Sequence, residues 1–171
     1  MVNITGLKTP EVIALALRYP TEDRLAVMLD AIEALPTGGA EREMRRFAKA
    51  ISDSEIQELE ELFTATFDLS PIVAPYVGHL AWGDSYERGA FMAEIQGAMR
   101  DIGVDPEGEL PDHLEPILRY LAATDEPIEK LKPVLVPSVV KMEKTLKKAD
   151  SKNPYLHVLT AARIATEESM R

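Results

Sequence analysis

The chain has 171 residues, 46% of them hydrophobic and 28% charged, the balance of a globular protein long enough to bury its own core. Nineteen Lys and Arg against twenty-nine Asp and Glu leave a formal charge of -10, which disfavours nucleic acid and anionic lipid surfaces as partners unless the basic residues cluster tightly. There is no cysteine, which excludes disulfides, zinc–thiolate sites, iron–sulfur ligation and thiol nucleophiles, and fits a reducing compartment.

The longest stretch without a formal charge runs from Leu69 to Gly83 and contains Pro71, Pro75 and His79. It is shorter than the ~20 apolar residues a membrane helix needs, so no membrane insertion is expected. The start of the chain has no basic segment followed by an apolar run, and the expected location is the cytoplasm.

Helical spacing dominates from end to end. Val12, Leu15, Ala16 and Tyr19 share one face of a first helix that Pro20 ends. Thr21 is placed to cap a second helix with Leu25, Met28, Leu29, Ile32 and Leu35 inward, and Pro36-Thr37-Gly38-Gly39 is a turn. A more charged third helix carries Met44, Phe47 and Ile51. Ser52 and Glu55 have capping-box spacing and open a fourth, with Ile56, Leu59, Phe63 and Phe67 buried. The stretch 68–84 reads as a bent connection holding a short apolar helix. A long helix follows over 86–102, with Phe91, Ile95, Ala98 and Ile102 inward and a row of Gly89, Ala93 and Gly97 suited to close helix packing.

An acidic loop at 103–112 leads into a helix with Leu114, Ile117, Leu118 and Leu121. Ile128, Leu131, Leu135, Val139, Met142 and Leu146 mark another, bent or delayed by Pro133 and Pro137, and a last helix runs from about Pro154. No window alternates as a strand would. The fold expected is all-α, one helical domain over residues 1–171 without internal repeats.

Charge is unevenly placed. Six acids and no Lys or Arg lie between Asp53 and Asp68, and nine acids with only Arg88 and Arg100 lie between Asp84 and Glu115. From Ile128 to Lys152 the sign reverses, with seven lysines against Glu129, Glu143 and Asp150. These are either solvated helix faces or, in the acidic middle, a surface that attracts a basic segment of another protein.

Signals for catalysis are missing. His79, His113 and His157 lack the spacing of paired metal ligands, and there is no nucleophile elbow, dinucleotide turn or phosphate loop. No catalytic pair stands out among the carboxylates. The chain is therefore read as a non-enzymatic binding protein with no cofactor or metal of its own.

Phe67-Asp68, then Gly83-Asp84-Ser85, Arg88-Gly89 and Glu109-Leu110-Pro111-Asp112-His113-Leu114 together resemble the NarJ branch of the NarJ/TorD/DmsD chaperones, the maturation proteins of molybdenum oxidoreductases. Leu17-Arg18-Tyr19-Pro20-Thr21 resembles the way these proteins end their first helix. Proline directly before Asp112 favours the NarJ branch, and after Asp125 the likeness is only that of helical, apolar character.

The resemblance implies a TorD-like helical bundle that binds the N-terminal tail of the catalytic subunit of a nitrate-reductase-like enzyme. It would hold that client in the cytoplasm until molybdopterin guanine dinucleotide is inserted, before membrane docking or export, as a monomer or a domain-swapped dimer. Two other readings are a permanent structural subunit of an oxidoreductase complex and a small helical hydrolase using Asp112 and His113.

The candidate peptide-binding residues are Phe67, Asp68, Tyr76, Leu80, Trp82, Arg88, Leu110, Pro111, Asp112 and His113. Phe67, Tyr76, Leu80 and Trp82 are the large apolar groups of the proline-bent segment, and they either line a groove or fill core. Asp112, after a proline and before a helix, is expected as an N-cap. His113 then falls in the first turn, partnering an acid or facing a guest, and Arg88 is placed to pair with Asp84.

Overall fold

The computed structural model describes residues 3–171, and among these the architecture is all-helical. The remaining two residues of the expected 1–171 domain lie outside the described part. In chain order the helices are α1 (Thr9–Ala16), α2 (Glu22–Glu33), α3 (Gly39–Ala50), α4 (Ile56–Phe63), α5 (Val77–Trp82), α6 (Tyr86–Asp101), α7 (Leu114–Ala123), α8 (Lys132–Ala149) and α9 (Tyr155–Ser169). A π-helical turn, Thr64–Asp68, extends α4.

The centre of the bundle is α9, which packs against α3, α8 and α1, while α1 also packs on α7. Ala161, Ala162 and Ala165 are buried on α9, so neighbouring backbones approach it closely. Tyr155 at its start anchors an aromatic cluster, with ring centroids 5.1 Å from Phe47, 5.1 Å from Phe67 and 5.8 Å from Phe63. Because α1 is enclosed by α2, α3, α7 and α9, it buries Val12, Ile13, Ala14 and Ala16 rather than one stripe, and Tyr19 beyond its end is 41% exposed.

Local signals hold at most ends. Thr21 caps α2, its side chain accepting from the Arg24 amide at 3.2 Å. Pro133 sits in the first turn of α8, which delays the helix to Lys132, and Pro137 is accommodated inside it. Gly83 closes α5 with φ +64°, a conformation that favours glycine.

Three expectations are corrected. The cap of α4 is Glu55, whose amide donates to Glu58 at 3.2 Å; Ser52 instead turns back to the Lys49 carbonyl at 2.8 Å and finishes α3. The Gly89, Ala93 and Gly97 row packs against no helix: Gly89 and Ala93 are exposed, and a Cβ on Gly89 would meet nothing within 4 Å. The inward face of α6 is Phe91, Ile95 and Met99, which leaves Ile102 41% exposed.

Candidate functional site

The proline-bent segment and the acidic loop meet. Tyr76 and His113 form an isolated antiparallel bridge, in which the Val77 amide donates to the Asp112 carbonyl at 2.8 Å and the Leu114 amide to the Pro75 carbonyl at 2.9 Å. This bridge fixes the start of α7 against the start of α5.

Behind it lies Asp112, whose side chain is fully buried. Arg88 donates to both of its oxygens, Nε at 2.8 Å and a terminal nitrogen at 3.4 Å, and to Asp84 at 3.2 Å. Gly78 makes the approach feasible, since a Cβ there would stand 2.7 Å from Asp112 Oδ2. Asp112 is thus an internal tie and not the helix cap.

The cap is His113. Its Nδ1 accepts from the Glu115 amide at 3.0 Å, which places the ring proton on Nε2. Burial pushes the His113 pKa below its ordinary value even though Glu109, Glu115 and Asp112 pull it up. The Tyr76 ring meets the His113 ring edge-on at 5.1 Å, and its hydroxyl donates to Glu109 at 3.1 Å. Burial and the Glu109 carboxylate together push the Tyr76 phenol up to about 12.

In front of this bridge opens a cleft of about 280 Å³ between the end of α1, the π-helical turn, the loop before α7 and the start of α7. Its apolar wall is Leu17, Tyr19, Phe63, Phe67 and Tyr76. Its polar rim is Asp68, Glu107, Glu109 and Glu115 with Arg18 and Arg24.

The arginines are engaged already. Arg18 donates to Glu115 at 2.8 Å and pairs with Glu107 at 2.9 Å, while Arg24 donates to the Tyr19 carbonyl at 2.9 Å. Arg119 donates to the same Glu115 oxygen at 2.7 Å and to the other at 3.0 Å. A shallow depression continues past Tyr19 between Glu60, Glu61 and Leu69, and Leu69 is 73% exposed.

Four of the ten candidate residues line this cleft: Phe67, Asp68, Tyr76 and His113. Phe67 is only 8% exposed, so it belongs chiefly to the aromatic core and shows the cleft one edge. Trp82 packs on Phe91 at 5.1 Å, and Leu80 leans on the same core. Arg88, Pro111 and Asp112 support the bridge from behind, and Leu110 is 46% exposed outside the lining. Arg18, Tyr19, Arg24, Glu107, Glu109 and Glu115 line the cleft without having been singled out. Arg18, Tyr19 and Glu109 stood within motifs read from the sequence; Glu115 carried no separate signal.

Chemically the cleft offers an aromatic wall with an excess of carboxylates. Among the described residues, no cluster of three or more His, Asp or Glu could hold a metal ion. No helix among them is long and apolar enough to cross a membrane.

Residues 32–135 match the family model described as nitrate reductase delta subunit, which covers well over half of the chain. The chain belongs to the nitrate reductase delta subunit family. The matched region contains Phe67, Tyr76, Glu109 and His113 but not Arg18 or Tyr19, so one wall of the cleft lies outside it. A crystal structure described as a redox enzyme maturation protein from Archaeoglobus fulgidus shares the fold, with a TM-score of 0.68 over 98% of each chain at 18% identity. No curated protein matches the chain significantly in sequence.

Proposed function

We propose that this member of the nitrate reductase delta subunit family is a maturation chaperone, acting as a single domain without catalysis of its own. Its client is the catalytic subunit of a nitrate-reductase-like molybdenum oxidoreductase, bound through that subunit's N-terminal segment. The chaperone holds the client in the cytoplasm while molybdopterin guanine dinucleotide is inserted, before membrane docking or export.

The observation that carries this reading is the pairing of an aromatic floor with an acidic rim in one open cleft. A segment with apolar residues would lose water against Tyr19, Phe67 and Tyr76, which is where most of the affinity arises. Cationic residues beside them would meet Glu107, Glu109 and Asp68. These rim charges steer encounter and choose orientation more than they hold the complex. Family membership supports the kind of client.

Co-expression with the catalytic subunit, with and without its N-terminal segment, tests the reading. The chain should co-purify only when the segment is present, and it should be absent from the mature enzyme. Full cofactor content in a strain lacking this chain would overturn the maturation role.

A further inference from the structure

Five of the seven lysines that reverse the sign of the charge lie at positions 141–152, on the second half of α8 and the turn after it. From position 141 to 152 every exposed residue is either a lysine or small: Lys141, Lys144, Lys147, Lys148 and Lys152, with Thr145, Ala149 and Ser151 between them. At 3.6 residues per turn the four helical lysines span about 120° of arc. That arc is centred opposite the buried Leu135, Val139, Met142 and Leu146, so the lysines point straight outward.

None of the five makes an ion pair among the described residues. Of the two acids in the stretch, Glu143 is held by Arg163 at 2.6 Å, and Asp150 is half-buried at the end of α8. Stabilising the helix end accounts for Lys147 and Lys148, which stand in its last turn, but not for Lys141, Lys144 or Lys152.

We propose that this outward face of α8 docks the protein on an anionic lipid surface, as a peripheral contact made by Lys141, Lys144, Lys147, Lys148 and Lys152. The composition of the face decides the kind of partner. Packed protein interfaces centre on Tyr, Trp, Met and Arg and are depleted in Lys, and this face offers only lysine and small residues. Lysine is a compact point charge on a flexible stem, suited to a diffuse layer of headgroups rather than to one fork-shaped ligand.

The exposed residues between the lysines are small, so no bulky side chain holds the ammonium groups away from a flat surface. The formal charge of -10 opposes the contact but does not forbid it, because the lysines stand nearest the headgroups, where Coulomb attraction is largest. The site is separate from the cleft and does not depend on the client reading.

Flotation of the purified full chain with vesicles tests the proposal. One set is phosphatidylcholine with phosphatidylglycerol, the other phosphatidylcholine alone, each at low and at physiological salt. The protein should float with the anionic vesicles only, and salt should release it.

Each lysine near such a surface contributes about fivefold in partitioning, so the combined Lys141→Gln, Lys144→Gln and Lys148→Gln variant should lose roughly 100-fold. The corresponding Lys→Arg variant should keep binding, and all three proteins should melt alike because the side chains are exposed. No flotation with anionic vesicles at low salt, or equal flotation of the Gln variant, would overturn the proposal. Retention by polyglutamate or a DNA duplex with none by vesicles would likewise overturn it, in favour of an acidic protein or a nucleic acid.

Discussion

His113 has a structural duty that depends on its protonation state. Its Nδ1 caps α7 by accepting from the Glu115 amide, and it does so only while the ring is neutral. Burial lowers its folded pKa, so below its ordinary value of ~6.5 the unfolded chain binds a proton that the folded chain resists. Stability should therefore fall as pH drops through that value towards the lowered one, and level out below it. Thermal melts between pH 7 and 5 should show this slope, and His113→Asn, which keeps a capping acceptor, should flatten it. Identical profiles for both proteins would mean that the slope does not come from His113. Gly78 is the second sensitive position. Gly78→Ala would press a methyl group against the buried Asp112 carboxylate and the Phe91 ring, and should cost about 1–3 kcal/mol in urea unfolding. Replacing Asp112 by Asn is no mild change either, because the carboxylate is the partner that Arg88 is folded around.

The π-helical turn after α4 shows an element shaped from a distance. Thr66 within it is buried; its hydroxyl donates to the Leu62 carbonyl at 2.7 Å and accepts from Asn153 Nδ2 at 2.9 Å, across eighty-seven positions of sequence. Asn153 in turn accepts from the Tyr155 amide at 2.9 Å and so sets the start of α9. Thr66→Val keeps the shape and strands the Asn153 amide, and should cost about 1–3 kcal/mol by chemical denaturation; a change within a few tenths would mean that water replaces the bond. The helices themselves were legible because apolar residues recur at helical spacing, and Thr21, Pro133 and Gly83 act through their nearest neighbours. The π turn was not legible, and its tie to Asn153 lies eighty-seven positions away. For the same reason the cap of α7 was assigned one residue early: nothing local says that Arg88, twenty-four positions away, draws Asp112 inward. The small-residue row of α6 looked like a packing face, but α6 turns Phe91, Ile95 and Met99 inward and leaves Gly89 and Ala93 in solvent.

At the scale of the whole molecule, charge and shape divide the surface into two regions. An acidic, aromatic cleft lies where α1, α4 and α7 end or begin, and a lysine face runs along α8. Sequence reading found the acidic middle and half of the aromatic floor, because Phe67 and Tyr76 flank the proline-bent segment. It passed over the wall from α1, where Arg18 and Tyr19 reach the cleft only through tertiary packing. In the proposed function client recognition spans three distant stretches of chain, and Tyr19 is the informative side chain because it is 41% exposed and its ring meets that of Phe63 edge-on at 5.8 Å. The most direct measurement is calorimetric titration of the client's N-terminal peptide into the wild type, Tyr19→Ala and the combined Glu107→Gln and Glu109→Gln variant, at low and high salt. Tyr19→Ala should weaken binding about tenfold or more at both salts, as an exposed aromatic anchor does. The paired Gln variant should bind more weakly at low salt and lose most of the salt dependence seen in the wild type. Unchanged affinity in both variants, with wild-type melting curves, would contradict the placement of the client in this cleft.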